Sequence, residues 1–323
     1  MRRKRRPSVV CTLGSDADLF HVAKTVTGLC RLEAQDRINL TLRHSLAIGQ
    51  YAIVLESDGT TAGIDLSDHS DRMMPELSHC DLYFKRCVKP EDLKPGGRIR
   101  PFGLNYACRS TRATLGLLSL FGPIDAIRRR GAWKKFLCIP LFAEFERKPV
   151  QAASHTILFQ ARLWDPAECP GDENVNEDRV RLLLALRSEF KERLAGGLAP
   201  TPYAKQHYPE LLTAYPSRQS RYVRWAREHL ISIGFRGLFG SLGFKIAEAF
   251  AASQCLVSEP TTAYLSADAP LAKYRNIEEC IAICDHFLSH PDEASQLRNQ
   301  AWEYYRTDVE PGAHMAKLLG SLQ

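Results

Sequence analysis

Short apolar runs alternate with longer mixed segments along this chain, and this alternation is the feature that most restricts its fold. In the first half the apolar runs are SVVCTLG (8–14), YAIVLES (51–57), CDLYFKRC (80–87) and GRIRPFGLNY (97–106). The segments between them are long enough for the crossover connections that parallel strands require. The first half is therefore predicted to be an α/β domain with a largely parallel sheet.

A second series of the same kind begins after a changeover between about residues 108 and 154. It starts with HTILFQARLW (155–164) as a strand and continues with an amphipathic helix over 174–194. A chain of 323 residues exceeds the usual domain size of roughly 100 to 200 residues. We therefore expect two α/β, Rossmann-like domains that face a cleft, over residues 1–150 and 151–323. Ligands of such folds lie outside the carboxyl ends of the strands.

The composition, with 45% hydrophobic and 25% charged residues, is that of a folded protein. No apolar run approaches the roughly 20 residues that span a bilayer. The apolar stretch after the basic N-terminus is too short for a signal peptide, so a cytoplasmic location is expected. The 10 cysteines lack paired metal-type spacing, and all are predicted to be free thiols. Cys280 and Cys284 are predicted to form a buried helix face.

Two segments concentrate the positive charge, RRKRR (2–6) and IRRRGAWKK (127–135), while the net charge is only +6. Each segment is either a solvated stretch or a contact for an anionic membrane surface, and an acceptor-side patch is a further alternative for 127–135. Nucleic acid is a weaker alternative, because no helix-turn-helix, zinc finger or single-strand platform is visible. We therefore expect no nucleic-acid partner and consider a peripheral membrane contact through the basic segments.

The segment GSLGFKIAEAFAASQCLVSEP (240–260) predicts a glycine-rich loop, a helix over 244–252 and a short strand. Gly240, Ser241 and Gly243 place backbone N–H groups at the helix N-terminus, which attracts anions and phosphate in particular. The alternative is that the glycines only form a turn and that Glu248 is solvated.

LFQARLWDP (158–166), the 240–260 segment and the helical run over 274–311 resemble the donor-binding half of GT-B glycosyltransferases. The similarity is greatest to the bacterial spore-maturation-type branch and covers about residues 154–312. DLYFKRC and IRPFGLNY look like segments of the N-terminal half of such proteins. The resemblance implies transfer of a sugar from a nucleotide-diphosphate donor to an unidentified acceptor, without a catalytic metal or a cofactor. The N-terminal domain would bind the acceptor and the C-terminal domain the donor.

The resemblance also assigns donor-binding roles. Glu248 stands where many GT-B enzymes bind the ribose hydroxyls, which a carboxylate can hold with two charge-assisted hydrogen bonds. Arg162 stands where related enzymes direct an Arg at the diphosphate, and Lys245 is close enough in sequence to assist. The N–H groups of the 240–243 loop would hold the phosphates. Alternatively, Arg162 pairs with an acidic neighbour, Asp165 or Asp178, and Lys245 is solvated.

Two positions depart from the family pattern. Many retaining members carry a second Glu eight residues before the ribose Glu, and this chain has Gly240 there. The Lys that often follows the Arg is also missing, because LWDPAEC (163–169) contains none. The alternative to an enzyme is therefore a binding or scaffolding protein derived from a glycosyltransferase.

An inverting transfer needs a base that takes the proton of the acceptor hydroxyl. The catalytic candidates are Asp16, after the first strand, and Asp58 and His69, in the acidic segment after the second. Asp18, with His21 nearby, competes with Asp16. Helix caps and solvated loops use the same residues, and no ligand loop for a metal is recognisable.

Overall fold

The computed structural model describes residues 6–150, 153–169, 174–214 and 219–322. The chain forms two compact units. Unit 1 consists of Met1–Ala143, Thr262–Ser266 and Arg306–Gln323, and unit 2 consists of Glu144–Thr261 and Ala267–Tyr305. Each unit has its own sheet and its own helices. The predicted fold class, two Rossmann-like α/β domains, is thereby confirmed.

Unit 1 has a six-stranded sheet in the order β2-β1-β3-β4-β5-β6. Its elements are β1 (Ser8–Gly14), α1 (Leu19–Ala34), β2 (Asn39–Ser45), β3 (Ala52–Ser57), β4 (Thr60–Asp65), β5 (Leu82–Lys85), β6 (Ile99–Pro101), α2 (Thr111–Arg128), α3 (Arg130–Leu137) and α11 (Pro311–Gly320). The short helix α4 (Phe142–Phe145) crosses the boundary to unit 2.

The sheet of unit 1 is mixed, which corrects the expectation of a largely parallel one. β3 runs antiparallel to both of its neighbours, β1 and β4. The antiparallel pairing of β3 with β4 follows from a tight turn at Asp58 and Gly59, whose φ angles are 50° and 86°. A hairpin of this kind requires positive φ at both central residues, and the Asp-Gly pair is its strongest sequence signal.

The C-terminal helix α11 belongs to unit 1, so the second domain does not continue unbroken to residue 323. α11 packs against α1 so closely that a Cβ on Gly28 would lie 2.1 Å from the carbonyl oxygen of Pro311. Arg31 on α1 and Glu310 form an ion pair at 2.7 Å. Glycine is required at position 28 because any side chain would push the two helices apart.

Unit 2 has a five-stranded parallel sheet in the order β11-β10-β9-β7-β8. Its elements are β7 (Ser154–Ala161), α5 (Val175–Phe190), β8 (Leu194–Leu198), α6 (Pro202–His207), α7 (Gln219–Ala226), β9 (His229–Gly234), α8 (Phe244–Ala251), β10 (Cys255–Ser258), β11 (Ala272–Lys273), α9 (Ile277–Ser289) and α10 (Pro291–Tyr304). One face of the sheet packs its apolar side chains against α5 and α9.

The cysteines of the chain carry free thiols, as predicted, and Cys280 and Cys284 are buried on α9. Within the described ranges, no helix is long and apolar enough to cross a membrane. The same ranges contain no group of three or more His, Cys, Asp or Glu side chains with a metal-binding arrangement.

Candidate functional site

The strand order of unit 2 reverses between β7 and β9. The chain moves from β7 outward to β8 and then returns past β7 to β9, β10 and β11. In such a sheet the connections after the two central strands leave toward opposite faces and open a crevice outside their carboxyl ends. β7 ends at Ala161 and β9 at Gly234. Arg162 and the glycine-rich loop therefore border this crevice, which is the candidate site.

Arg179 on α5 holds the two strand ends together. Its guanidinium donates hydrogen bonds to the carbonyl oxygens of Arg162 at 2.6 Å and Arg236 at 2.7 Å. The same group lies 4.4 Å from the ring centroid of Trp164 and is 5% exposed. Sequence reasoning missed this residue. Its spacing, four residues after Val175 and three before Leu182, places it on the apolar face of the helix and so indicates that its side chain is buried.

Arg162 follows β7 directly and has an exposed side chain. Its guanidinium carbon lies 6.0 Å from the ring centroid of Trp164. Asp165 accepts a hydrogen bond from the N–H of Ala167, and Asp178 pairs with Arg181 at 2.7 Å. An exposed Arg at the end of a central strand is well placed for an anionic ligand.

The loop after β9 is tightly folded. The N–H of Gly237 donates to the carbonyl oxygen of Ser241 at 2.7 Å, and the N–H of Ser241 donates to the carbonyl oxygen of Leu238 at 3.1 Å. Phe239 and Gly240 have φ angles of 57° and 72°. Such a conformation is uncommon for Phe, and strained backbone of this kind concentrates at functional loops. The Ser241 N–H was predicted to bind a phosphate, but in this structure it is already bonded within the loop.

The helix α8 begins directly after this loop, with Gly243 at its N-cap and no side chain that caps it. A Cβ on Gly243 would lie 2.7 Å from the carbonyl oxygen of Phe235, so glycine is needed for the close approach. The uncapped N-terminus retains its partial positive charge, which favours an anion. The predicted loop, helix and strand of this segment are thus present at the carboxyl edge of the sheet.

Lys245 and Glu248, both on α8, form one cluster with Tyr222 of α7. The Lys245 ammonium donates to the Tyr222 hydroxyl, lies 4.1 Å from its ring centroid and is 3.7 Å from Glu248 Oε2. Burial alone would lower the pKa of Lys245, but Tyr222 and Glu248 hold it above its ordinary value. The cavity beside Glu248 measures only about 20 Å³. A ribose would fit there only after Lys245 or Tyr222 moved.

A much larger cavity, of about 390 Å³, lies at the carboxyl ends of β9, β10 and β11. It is lined by Arg236, Glu259 and Tyr274 together with residues of α5 and α9. Glu259 accepts a hydrogen bond from the N–H of Arg236 at 2.6 Å, and burial raises the pKa of its carboxyl. Sequence reasoning did not select Arg236 or Glu259. Each of them follows closely after a strand, at the end of the sheet where ligands bind in such folds, and this position was visible in the sequence.

In unit 1 the structure separates the three predicted catalytic residues. Asp16 follows β1 and His69 follows β4, and both strands end at the same edge of the sheet. Asp58 lies in the turn after the antiparallel strand β3, at the opposite edge, about 20 Å away for a strand of this length. Asp58 is therefore not a partner of Asp16 or His69.

Asp18 and His21 form a pair at the edge that carries Asp16. Asp18 Oδ1 lies 3.3 Å from His21 Nδ1, and it also accepts the N–H of Phe20 at the start of α1. Burial alone would raise the pKa of Asp18, but His21 and Lys135 lower it to about 2. The rings of His21 and Tyr51 lie 4.9 Å apart. A carboxylate beside Nδ1 orients an imidazole so that its other nitrogen can accept a proton.

Three solved structures illustrate what the chain is similar to. An alpha-glucosyltransferase in complex with UDP-glucose and DNA has a TM-score of 0.47 at 10% identity, covering 98% of this chain and 99% of that one. An alpha1,3-fucosyltransferase has a TM-score of 0.45 at 10% identity, covering 100% and 92%. A sucrose-phosphate synthase from Thermosynechococcus elongatus has a TM-score of 0.41 at 12% identity, covering 91% and 71%.

These are similarities to glycosyltransferase structures at low identity, and they define neither the activity nor the substrate of this chain. No family model matches the chain. No curated protein matches it either. The functional interpretation therefore depends on the residues of the site.

Proposed function

We propose that this chain transfers a sugar from a nucleoside-diphosphate sugar to an acceptor and binds the donor at the carboxyl edge of the sheet of unit 2. The observation that supports this most is that Arg162, the strained loop and the uncapped start of α8 all follow central strands at the carboxyl edge of the sheet, where the strand order reverses. An exposed guanidinium and a helix N-terminus on one edge form a suitable pair of partners for a diphosphate.

Three of the predicted donor residues, Arg162, Lys245 and Glu248, then have a role. Arg162 and the first N–H groups of α8 bind the diphosphate, and Lys245 adds a positive charge beside them. Glu248 binds the ribose hydroxyls once the Lys245–Tyr222 contact has opened. The resemblance implies that the reaction uses no catalytic metal, so these positive groups would stabilise the charge on the leaving diphosphate.

The transfer itself breaks the bond between the anomeric carbon and the diphosphate and forms a bond to the acceptor oxygen. The acceptor proton passes to a base. For an inverting reaction we propose that this base lies at the carboxyl edge of the sheet of unit 1, where Asp16, His69 and the Asp18–His21 pair are found. Position 240 is a glycine, so it provides no carboxylate for a retaining reaction.

Arg162→Ala is expected to weaken donor binding by roughly tenfold to a hundredfold, since each charged hydrogen bond contributes about 1.5 to 3 kcal/mol. Arg162→Lys should also weaken it, because an ammonium does not reproduce the bidentate contact of the guanidinium. Calorimetric titration with nucleoside diphosphates measures both effects. Arg193→Ala, at another exposed position of unit 2, is the matched control. Wild-type affinity in both Arg162 variants would leave Arg162 without a ligand role.

A comparison of ribose and 2′-deoxyribose donors identifies the carboxylate that binds the ribose. Wild type should bind the deoxy donor less well, and Glu248→Gln should remove most of that difference while costing about 1 to 3 kcal/mol of ribose-donor binding. Glu259→Gln is the informative control, because Glu259 lines the larger cavity. If Glu259→Gln removes the discrimination and Glu248→Gln does not, the ribose lies in that cavity.

A second candidate is a protein that binds the donor without transferring the sugar. It is favoured by Gly240, whose φ of 72° suits glycine and whose position is a glutamate in many retaining members. The two functions separate when the protein is incubated with a nucleotide sugar that it binds, with and without acceptors. An enzyme slowly hydrolyses the donor in the absence of an acceptor, whereas a pure binding protein releases no nucleoside diphosphate.

A further inference from the structure

The last part of α2, after its break at Gly122, and α3 expose apolar and basic side chains together in unit 1. Ile124 is 69% exposed, Ile127 is 76% exposed and Leu137 is 48% exposed. Arg128, Arg130 and Lys134 are also exposed. We call these six residues the basic apolar face. None of them contributes to the site described above, so this surface needs a separate explanation.

Helical spacing arranges the six residues in two stripes. Ile124, Ile127 and Arg128 are spaced i, i+3, i+4 at the end of α2, after the break at Gly122. Arg130, Lys134 and Leu137 are spaced i, i+4, i+7 on α3. The other side of α3 is buried through Trp133 and Phe136. α3 is therefore fixed to unit 1 by one side, while the residues of both stripes are exposed.

The segment that carries this face is almost entirely positive in charge. Asp125 is the only acidic residue between positions 111 and 143. Arg129 pairs with it at 2.8 Å, and the indole N–H of Trp133 donates to it at 2.9 Å. Burial alone would raise the pKa of the Asp125 carboxyl, but these two hydrogen bonds and the charge of Arg129 hold it below its usual range. The basic groups of the two stripes are thus left without a neutralising acid in this segment.

We propose that the basic apolar face docks on an anionic membrane surface, with Ile124, Ile127 and Leu137 inserted at the level of the headgroups. Arg128, Arg130 and Lys134 would contact the lipid phosphates. Nucleic acid would satisfy the charges but leave large apolar side chains in water, whereas a lipid interface accommodates both. The other basic segment, 2–6, lies outside the described residues apart from Arg6, which pairs with Asp36 at 2.8 Å.

More apolar surface lies near the end of β2, on the same unit. His44 stacks on Phe121 of α2 with ring centroids 5.6 Å apart, and Leu46, two residues further on, is 94% exposed. Leu115 on α2 is 62% exposed. Unit 1 therefore exposes further large apolar side chains besides those of the two stripes. Exposed apolar side chains together with basic residues are typical of proteins that bind lying in the membrane interface.

The test is sedimentation of the full chain with vesicles of phosphatidylcholine alone or mixed with phosphatidylglycerol, at low and high salt. Wild type should bind the mixed vesicles, and high salt should weaken the binding. Arg130→Gln/Lys134→Gln should reduce partitioning by about 30-fold, since each charge contributes about fivefold. Ile124→Ser/Ile127→Ser should reduce it by about tenfold or more. Circular dichroism verifies that both variants are folded.

Matched controls are Arg193→Gln/Lys205→Gln and Leu184→Ser, which change exposed residues of unit 2. They should bind vesicles as wild type does. The proposal is overturned if wild type does not bind the anionic vesicles or if the control variants lose binding equally. It is also overturned if the isoleucine variant binds normally, or if a DNA duplex binds this face in preference to vesicles. Loss of a wild-type dimer in the isoleucine variant would overturn it as well, because the face would then be an interface between copies.

Discussion

Asp65→Ala is expected to lower the free energy of unfolding by about 3 to 5 kcal/mol, because it leaves the Lys85 ammonium buried without its counter-charge. Asp65 is fully buried at the end of β4. One carboxylate oxygen accepts hydrogen bonds from Tyr83 and Lys85, each at 2.8 Å. The other accepts the N–H of Ser67 at 2.9 Å and its hydroxyl at 2.6 Å. All these donors lose their acceptor in the variant.

Urea denaturation measures this effect, and Asp71→Ala at an exposed position is the matched control. The double variant Asp65→Ala/Lys85→Met should recover much of the loss, since it removes the unpaired charge as well. If Asp65→Ala costs less than about 1 kcal/mol, the buried pair does not hold the ends of β4 and β5 together. Destabilisation of the same size in the double variant would assign the loss to packing.

Lys24 should make the stability of the protein depend on pH above neutrality. Its ammonium is 1% exposed and donates hydrogen bonds to the carbonyl of Leu104 and to His314 Nδ1, each at 2.5 Å. Burial lowers the pKa of Lys24 to about 7. Burial lowers the pKa of His314 well below its ordinary value, and the charge of Lys24 lowers it further. The contact joins α1 to α11, so it affects the packing of the C-terminal helix.

Between pH 7 and about 10.4 the unfolded chain holds a proton on Lys24 that the folded protein has lost. The free energy of unfolding should therefore rise with pH across this window, by up to about 1.4 kcal/mol per pH unit. Below about pH 6.5 the unfolded chain also takes up a proton that the buried His314 does not, so stability should fall further on acidification.

The variant Lys24→Met should flatten the slope above pH 7, because methionine fills similar space without a titrating group. Denaturation curves at several pH values measure the slope in wild type and variant. His286→Gln, at a histidine on the surface of unit 2, serves as the control and should leave that slope unchanged. An equal slope in Lys24→Met and wild type would mean that another group titrates in this window.

Local patterns in the sequence predict much of this fold. The segment 240–260 was expected to form a loop, a helix and a strand, and α8 (Phe244–Ala251) and β10 (Cys255–Ser258) follow that pattern. Glycine spacing and apolar periodicity are sufficient there because every interaction that defines the elements is close in sequence. The Asp58-Gly59 pair also indicates the direction of β3, although the acidic residues around it favour a catalytic segment.

The parts that could not be predicted depend on contacts between distant residues. Arg179 bonds to a carbonyl 57 residues away, and Lys24 bonds to a histidine 290 residues away. A single sequence shows only that such residues are charged, and charged residues are usually solvated. The placement of α11 on unit 1 has the same origin, because it depends on the close approach at Gly28. The roles of Arg162 and Glu248 stay predictions for the same reason, since their proposed partner is a ligand.

Calorimetric titration of the full chain with the common nucleoside diphosphates is the direct test of donor binding by unit 2. We expect at least one diphosphate to bind, Arg162→Ala to weaken its binding by tenfold or more, and Arg193→Ala to leave it unchanged. The corresponding nucleoside should bind much more weakly, because the diphosphate provides the contacts with Arg162 and α8. If no diphosphate binds, or if wild type and Arg162→Ala bind with equal affinity, the proposed donor site is wrong.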